Sequence, residues 1–199
     1  MSNEPCDRPR RLMLYQQPVR GIRLDEVRFR GGRGQVPAMP CLALRIETDE
    51  GVDLNLILER YMCTIQLYDS AGAVRLPDSL FFQVQQVRCQ LVPSMGDPNQ
   101  IDPLFIFGEI VIRECGVFRL RVVLHEAGES RLSRRQSWTE ITSIMTDPFD
   151  VVEYHQFPGG AVIWTPLSQH LRAHGIVLHF PPDNDSVNWD EEYPTINGV

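Results

Sequence analysis

The chain has 199 residues, 43% of them hydrophobic, and a formal net charge of −7. That length suffices for one sizeable core, no stretch approaches the roughly 18 apolar residues that span a bilayer, and the acidic balance argues against a generic nucleic-acid-coating protein. The charge is uneven, however: residues 1–45 hold nine arginines against four acids, residues 46–199 hold ten against twenty-two, and there is no lysine.

In chain order, residues 1–10 are polar and are expected to form a flexible N-terminus. With no apolar run in Met1 to Arg11, no secretory signal is expected and an intracellular site is the default. Leu12 and Leu14, with the run to Gln17, predict a short first strand stopped by Pro18. Residues 19–40 are rich in Arg, Gly and Pro around Phe29-Arg30-Gly31-Gly32-Arg33-Gly34 and read as a long loop. Strand patterns then dominate. Leu42, Leu44 and Ile46 alternate with polar or small residues. Val52, Leu54, Leu56 and Leu58 repeat the pattern after a turn at Asp49-Glu50-Gly51, and Tyr61, Cys63, Ile65 and Leu67 follow, ending at Asp69-Ser70-Ala71-Gly72. Such alternation sends one set of side chains to a core and the other to water.

Further strand runs are Leu80–Val92, Leu104–Arg113 and Val117–His125, the last two joined by Glu114-Cys115-Gly116, which reads as a hairpin turn. Strands are also predicted near Ser137–Met145, Phe149–His155 and Ile176–Phe180. One helix is predicted, Pro166–His174: Thr165 can cap it, Pro166 suits its first position, Gly175 suits the position past its end, and Leu167 and Leu171 share a face. After Pro181-Pro182, residues 183–199 read as an acidic flexible tail. The domain is therefore expected over 11–182, as an antiparallel β-sandwich with one or two short helices.

No convergent catalytic site emerges. His170 and His174 have metal-ligand spacing, but there is no H-E-x-x-H and no third ligand, so exposed helix histidines are the simpler reading. His125-Glu126 resembles half of a barrel-type metal site with no second cluster to complete it. Ser133, Ser137 and Ser143 lie in no nucleophile elbow, and phosphate-binding glycine motifs are absent. No catalytic residue, metal, cofactor or small-molecule substrate is expected, nor a membrane partner. The five cysteines form no C-x-x-C pair and read as reduced thiols, mostly small core residues, with a Cys63–Cys115 bridge disfavoured. Arg131, Arg134 and Arg135 read as a hydrophilic hairpin loop. The sharper feature is the set Arg20, Arg23, Arg28, Arg30 and Arg33, whose guanidiniums could lie against DNA phosphates. The plain alternative is a solvated loop pairing with the protein's own acids.

Three stretches together resemble the fungal velvet-domain regulators. Arg11-Leu12-Met13-Leu14-Tyr15-Gln16-Gln17-Pro18-Val19-Arg20 is similar to that family's opening strand and Gln-Gln-Pro turn; Phe105 to Leu120 looks like its F-x-F-x-D-L-x-V-R-x-x-G-x-Y-R-L pattern; and Thr146-Asp147-Pro148-Phe149-Asp150-Val151, Phe157-Pro158-Gly159, Thr165-Pro166-Leu167-Ser168 and Gly175-Ile176 follow its ending in order and spacing. The resemblance covers about residues 11–182. It implies a Rel-homology-like, immunoglobulin-like sandwich. It also implies a nuclear regulator of fungal development, sporulation and secondary metabolism. Such a protein dimerises with itself or another velvet protein and binds DNA through its basic N-terminal part. The nucleus is the expected site, with the cytoplasm as a second. The departures are local: Val19-Arg20-Gly21-Ile22-Arg23 replaces the family's Ala-Arg-x-Cys-Gly, Gly31 to Pro40 keeps only scattered arginines and prolines, and His155-Gln156 stands where the family has Lys-Lys. These departures leave open a second expectation, a dimerising adaptor without DNA contact of its own.

Overall fold

In the computed structural model the described residues are 11–23, 40–47, 53–82, 86–108, 110–128, 137–153, 156 and 165–176. The expected flexible N-terminus, most of the arginine-glycine loop, the turn at 49–51, the strand near 176–180 and the acidic tail lie largely or wholly outside them.

The strands are β1 (Arg11–Gln16), β2 (Arg20–Ile22), β3 (Leu42–Glu47), β4 (Tyr61–Asp69), β5 (Phe81–Phe82), β6 (Gln86–Pro93), β7 (Ile101–Phe107), β8 (Val111–Ile112), β9 (Gly116–Gly128), β10 (Ser137–Met145) and β11 (Phe149–Val152). The helices are α1 (Leu54–Arg60) and α2 (Pro166–Ala173). The all-β expectation is met. Hydrogen-bonded neighbours run β1-β3-β7-β6-β4-β9-β11-β2, with β10 also on β9 and β5-β8 as a separate small ladder. Every pairing among the described strands is antiparallel except β2 with β11.

The sheet curls on itself through β6. Residues 86–88 of that strand pair with β4 and residues 89–93 with β7. The inner faces share one core: Leu42, Leu44, Ile46, Phe105 and Phe107 from one half, and Cys63, Ile65, Leu67, Leu120, Val122 and Leu124 from the other, all buried. The period-two alternation is the cause, since alternate side chains of a strand leave on opposite faces. On the outer side of β3 and β7, α2 lays Leu167 and Leu171 over Cys41, Ala43, Leu104 and Ile106, forming a second cluster. Helix α2 follows its sequence signals. Thr165 Oγ1 accepts from the Ser168 amide at 3.0 Å, Pro166 opens the helix, and Gly175 ends it at φ 77°, a left-handed conformation that favours glycine. Each fully buried leucine contributes about 1.5–3 kcal/mol.

Four expectations are corrected. The run Val52–Leu58, read as a strand, is helical from Leu54: the Asp53 side chain caps it by accepting from the Asn55 amide at 2.9 Å, Ile57 is buried, and Leu56, which a strand would turn inward with Leu54 and Leu58, is 38% exposed. Leu54, Leu56 and Leu58 alternate as in a strand, whereas Leu54, Ile57 and Leu58 fit the helical period; the cap decides. Within the expected loop 19–40, residues 20–22 form a strand, because β11 offers them a parallel edge and Gly21 and Ile22 are buried there. The run Leu104–Arg113 is two strands. The first starts early, at Ile101, and the β3–β7 ladder stops at Arg45↔Leu104, one residue short of Pro103, which has no N–H to donate. Finally, Glu114-Cys115-Gly116 is no hairpin turn: β8 pairs with β5 while β9 pairs with β4, β10 and β11, so these residues turn a corner between ladders.

Candidate nucleic-acid interface

The motif glutamines anchor the chain at the turn that leads to the arginines. Adjacent residues of an extended chain point opposite ways, and Gln16 and Gln17 use this to reach different layers. Gln16 Nε2 donates to the Cys41 carbonyl at 2.8 Å and to Cys41 Sγ at 3.1 Å, while its Oε1 accepts from Thr165 Oγ1 at 2.5 Å. It thus ties the end of β1 to the start of β3 and the cap of α2. Gln17 makes a two-bond clamp with the turn before β11, its Nε2 donating to Asp147 Oδ2 at 2.7 Å and its Oε1 accepting from the Asp147 amide at 2.9 Å. Thr146, fully buried, accepts from the Leu120 amide through Oγ1 at 2.9 Å and fixes where β10 leaves β9. The Gln-Gln-Pro and Thr-Asp-Pro stretches are therefore structural fasteners.

Three residues beyond Gln17, Arg20 pairs with Asp150 at 3.3 Å, and three beyond that, Arg23 Nε pairs with Glu153 Oε1 at 3.0 Å. The parallel ladder sets this register: Arg20↔Asp150, Gly21↔Val151 and Ile22↔Val152, extended by the Arg23 amide donating to the Val152 carbonyl at 2.9 Å. Side-chain pairs at 17/147, 20/150 and 23/153 thus share one offset of 130 residues. The guanidiniums stay reachable, with side chains 30% exposed for Arg20 and 42% for Arg23. Exposed pairs of this kind are worth about 0.2–1 kcal/mol each. Cys115 borders the same edge and donates to Glu153 Oε1 at 3.4 Å. Partial burial, then the neighbouring Glu153, raise its pKa, so the thiol stays protonated.

Of the five arginines expected to face DNA, Arg20 and Arg23 lie along the β2–β11 edge, each held by its own acid; Arg28, Arg30 and Arg33 lie outside the described residues, as do Arg131, Arg134, Arg135 and Ser133. The acids opposite Arg20 and Arg23 escape a reading of the sequence alone. A retrospective signal exists, since Gln17, Arg20 and Arg23 share their spacing of three with Asp147, Asp150 and Glu153.

The other candidates do not converge. His170 Nε2 lies 2.6 Å from the Pro93 carbonyl, His174 Nδ1 lies 2.9 Å from the His170 carbonyl, and the described residues contain no group of three His, Cys, Asp or Glu that could hold a metal. His125 and Glu126 point to opposite faces. His125 Nε2 meets Thr64 Oγ1 at 2.8 Å, and Glu126 Oε1 takes Arg60 and the Tyr61 hydroxyl at 2.5 and 3.2 Å. Cys41 and Cys89 are pushed by burial up to about 11 and about 12, and Cys63 rises for the same reason. The four described cysteines are free, with Cys63 buried and Cys115 exposed. No described helix is long and apolar enough to cross a membrane.

Residues 91–184 match the family model described as Velvet factor. The chain is 28% identical over 157 residues to Spore development regulator vosA of Beauveria bassiana, covering 73% of this chain and 57% of that protein. It is 27% identical over 191 residues to Sexual development regulator umv3 of Mycosarcoma maydis, covering 88% of this chain and 45% of that protein. To a Chaetomium globosum protein named as a subunit of the velvet complex it is 30% identical over 90 residues, covering 45% of this chain and 19% of that protein. The chain therefore spans less than two thirds of the length of each of these relatives.

Proposed function

We propose that the chain is a velvet-type, non-enzymatic regulator of fungal development and sporulation, with secondary metabolism under the same control, a reading that these matches support. It acts in the nucleus, with the cytoplasm as a second site. It pairs with itself or another velvet protein and contacts DNA through Arg20, Arg23, Arg28, Arg30 and Arg33. The observation that carries the regulatory part is the Velvet factor match over 91–184, together with relatives named for spore and sexual development. The DNA part rests on arginine placement. Nine arginines precede residue 46, and β2 sets Arg20 and Arg23 on an exposed edge leading into the residues that contain the other three. Guanidiniums there would neutralise backbone phosphates, which positions a protein on DNA without reading sequence.

A second reading, a dimerising adaptor with no DNA contact of its own, is favoured by a specific observation: Arg20 and Arg23 are already paired with Asp150 and Glu153. The Chaetomium globosum relative, named as part of a velvet complex, supports partnering with other velvet proteins. The deciding experiment is binding to mixed-sequence duplex DNA across a salt series, wild type beside a variant with all five arginines changed to alanine. Binding that weakens steeply with salt, with a slope reduced by about 0.9 for each phosphate that the variant no longer neutralises, supports the DNA-contacting regulator. Equal binding by the two proteins moves the DNA-binding surface elsewhere, and no binding by either favours the adaptor.

A further inference from the structure

We propose that Asp150 and Glu153 act as built-in stand-ins for DNA phosphates: they hold the guanidiniums of Arg20 and Arg23, and a DNA phosphate reaches these arginines only by displacing them. The proposal rests on the DNA-contacting reading and assigns the two acids as determinants of affinity at the same edge. Its basis is the shared register. Asp150 and Glu153 stand opposite Arg20 and Arg23 at one constant offset, imposed by the parallel backbone ladder. The acids belong to a segment that has little freedom. Asp150 lies between Phe149 and Val151, which are buried in the core at 1% and 2% exposure, and Glu153 directly follows the last residue of β11. Each arginine carries its reachable head on a long, flexible stem, so a guanidinium can swing from carboxylate to phosphate without uncovering core.

The strength of the hold sets the selectivity. Half-exposed pairs are individually weak, so a duplex that engages several guanidiniums at once outcompetes them. An isolated inorganic phosphate ion, meeting one guanidinium in water, does not. Two carboxylates at this edge also lower the local positive potential that steers DNA toward it. The pairs therefore discriminate a polyanion from a single small anion and set the threshold of binding.

The test compares wild type, Asp150→Asn with Glu153→Gln, and a control of equal charge change far from the edge, Glu59→Gln with Asp97→Asn. The near-isosteric amides keep hydrogen-bonding capacity and remove charge. Two readouts are taken on each protein: anisotropy of a labelled mixed-sequence duplex, and the rate of phenylglyoxal modification of Arg20 and Arg23 by peptide mass spectrometry, with Arg75 as internal reference. We expect both arginines to react faster in the Asp150/Glu153 variant and duplex affinity to rise about two- to thirty-fold over wild type, the control rising far less. Unchanged modification rates, with affinity no higher than the control's, overturn the proposal while leaving DNA binding intact. Faster modification with no duplex bound by any of the proteins upholds the acids' hold on the arginines and overturns the DNA reading instead.

Discussion

Changing Gln16 to alanine tests whether the Gln-Gln-Pro stretch fastens helix α2 to the sheet. The substitution removes an amide that donates to the Cys41 carbonyl at 2.8 Å and accepts from Thr165 Oγ1 at 2.5 Å, in a partly buried site. Each such bond contributes about 0.5–1.5 kcal/mol net, and groups left unpaired away from water push the cost toward the upper end. The cavity adds little, because Gln16 is only partly buried. The expected loss is about 2 kcal/mol, or roughly 4–8 °C in Tm for a chain of this size. Urea denaturation and calorimetry measure it beside Gln66→Ala, whose amide oxygen accepts from Arg121 at 3.5 Å on the outer face and should cost under about 0.5 kcal/mol. A double-mutant cycle with Thr165→Val isolates the bond from the helix-capping role of Thr165, and a coupling above about 0.5 kcal/mol is expected. If Gln16→Ala costs no more than Gln66→Ala, or the cycle is additive, the fastening role is wrong.

Two further outcomes follow from burial. Leu171, fully buried under α2 against β3 and β7, should cost about 2–5 kcal/mol when cut to alanine, while Gln169→Ala on the exposed side of the helix should be near neutral; a small loss at Leu171 in urea midpoints would mean that α2 is not docked as described. His125 has its pKa lowered from 6.5, chiefly by burial, against a smaller raising effect of Glu140 opposite it on β10. The unfolded chain therefore takes up this proton before the folded one does, so stability falls as pH drops below about 6.5 and through the lowered folded value. His125→Gln should flatten that part of the profile in urea midpoints taken from pH 7 downward, and an unchanged slope would assign the effect to another group.

How much is legible in the sequence depends on whether the deciding interaction is local. Strands 61–69, 116–128 and 137–145 carry unbroken alternation or clear bounds, and α2 carries a threonine cap, a first-turn proline and a terminal glycine, so each can be read with its neighbours hidden. Helix 54–60 reads wrongly as a strand because Leu54, Leu56 and Leu58 alternate while Leu54, Ile57 and Leu58 also fit the helical period, and the distinguishing cap, Asp53, stands close to a glycine turn that reads equally as a strand boundary. Strand 20–22 escapes notice because its hydrogen bonds come from a partner 130 residues away, and short parallel pairings leave no mark in the segment itself. The same non-locality hides Asp150 and Glu153. Composition flags the arginines as a positive cluster; only the register shows that two of them already have anionic company.

The strand shared by both halves of the sheet also bears on how the molecule comes apart. β6 gives its first residues to one layer and its last to the other, and Gln16 and Gln17, adjacent in the chain, grip α2 on one side and the turn before β11 on the other. The layers are thus stitched together at two separate places, once by the continuous backbone of β6 and once by the adjacent side chains of Gln16 and Gln17. A stress applied at the arginine edge is carried through adjacent residues to the helix cap, which couples the loss of one to the loss of the other.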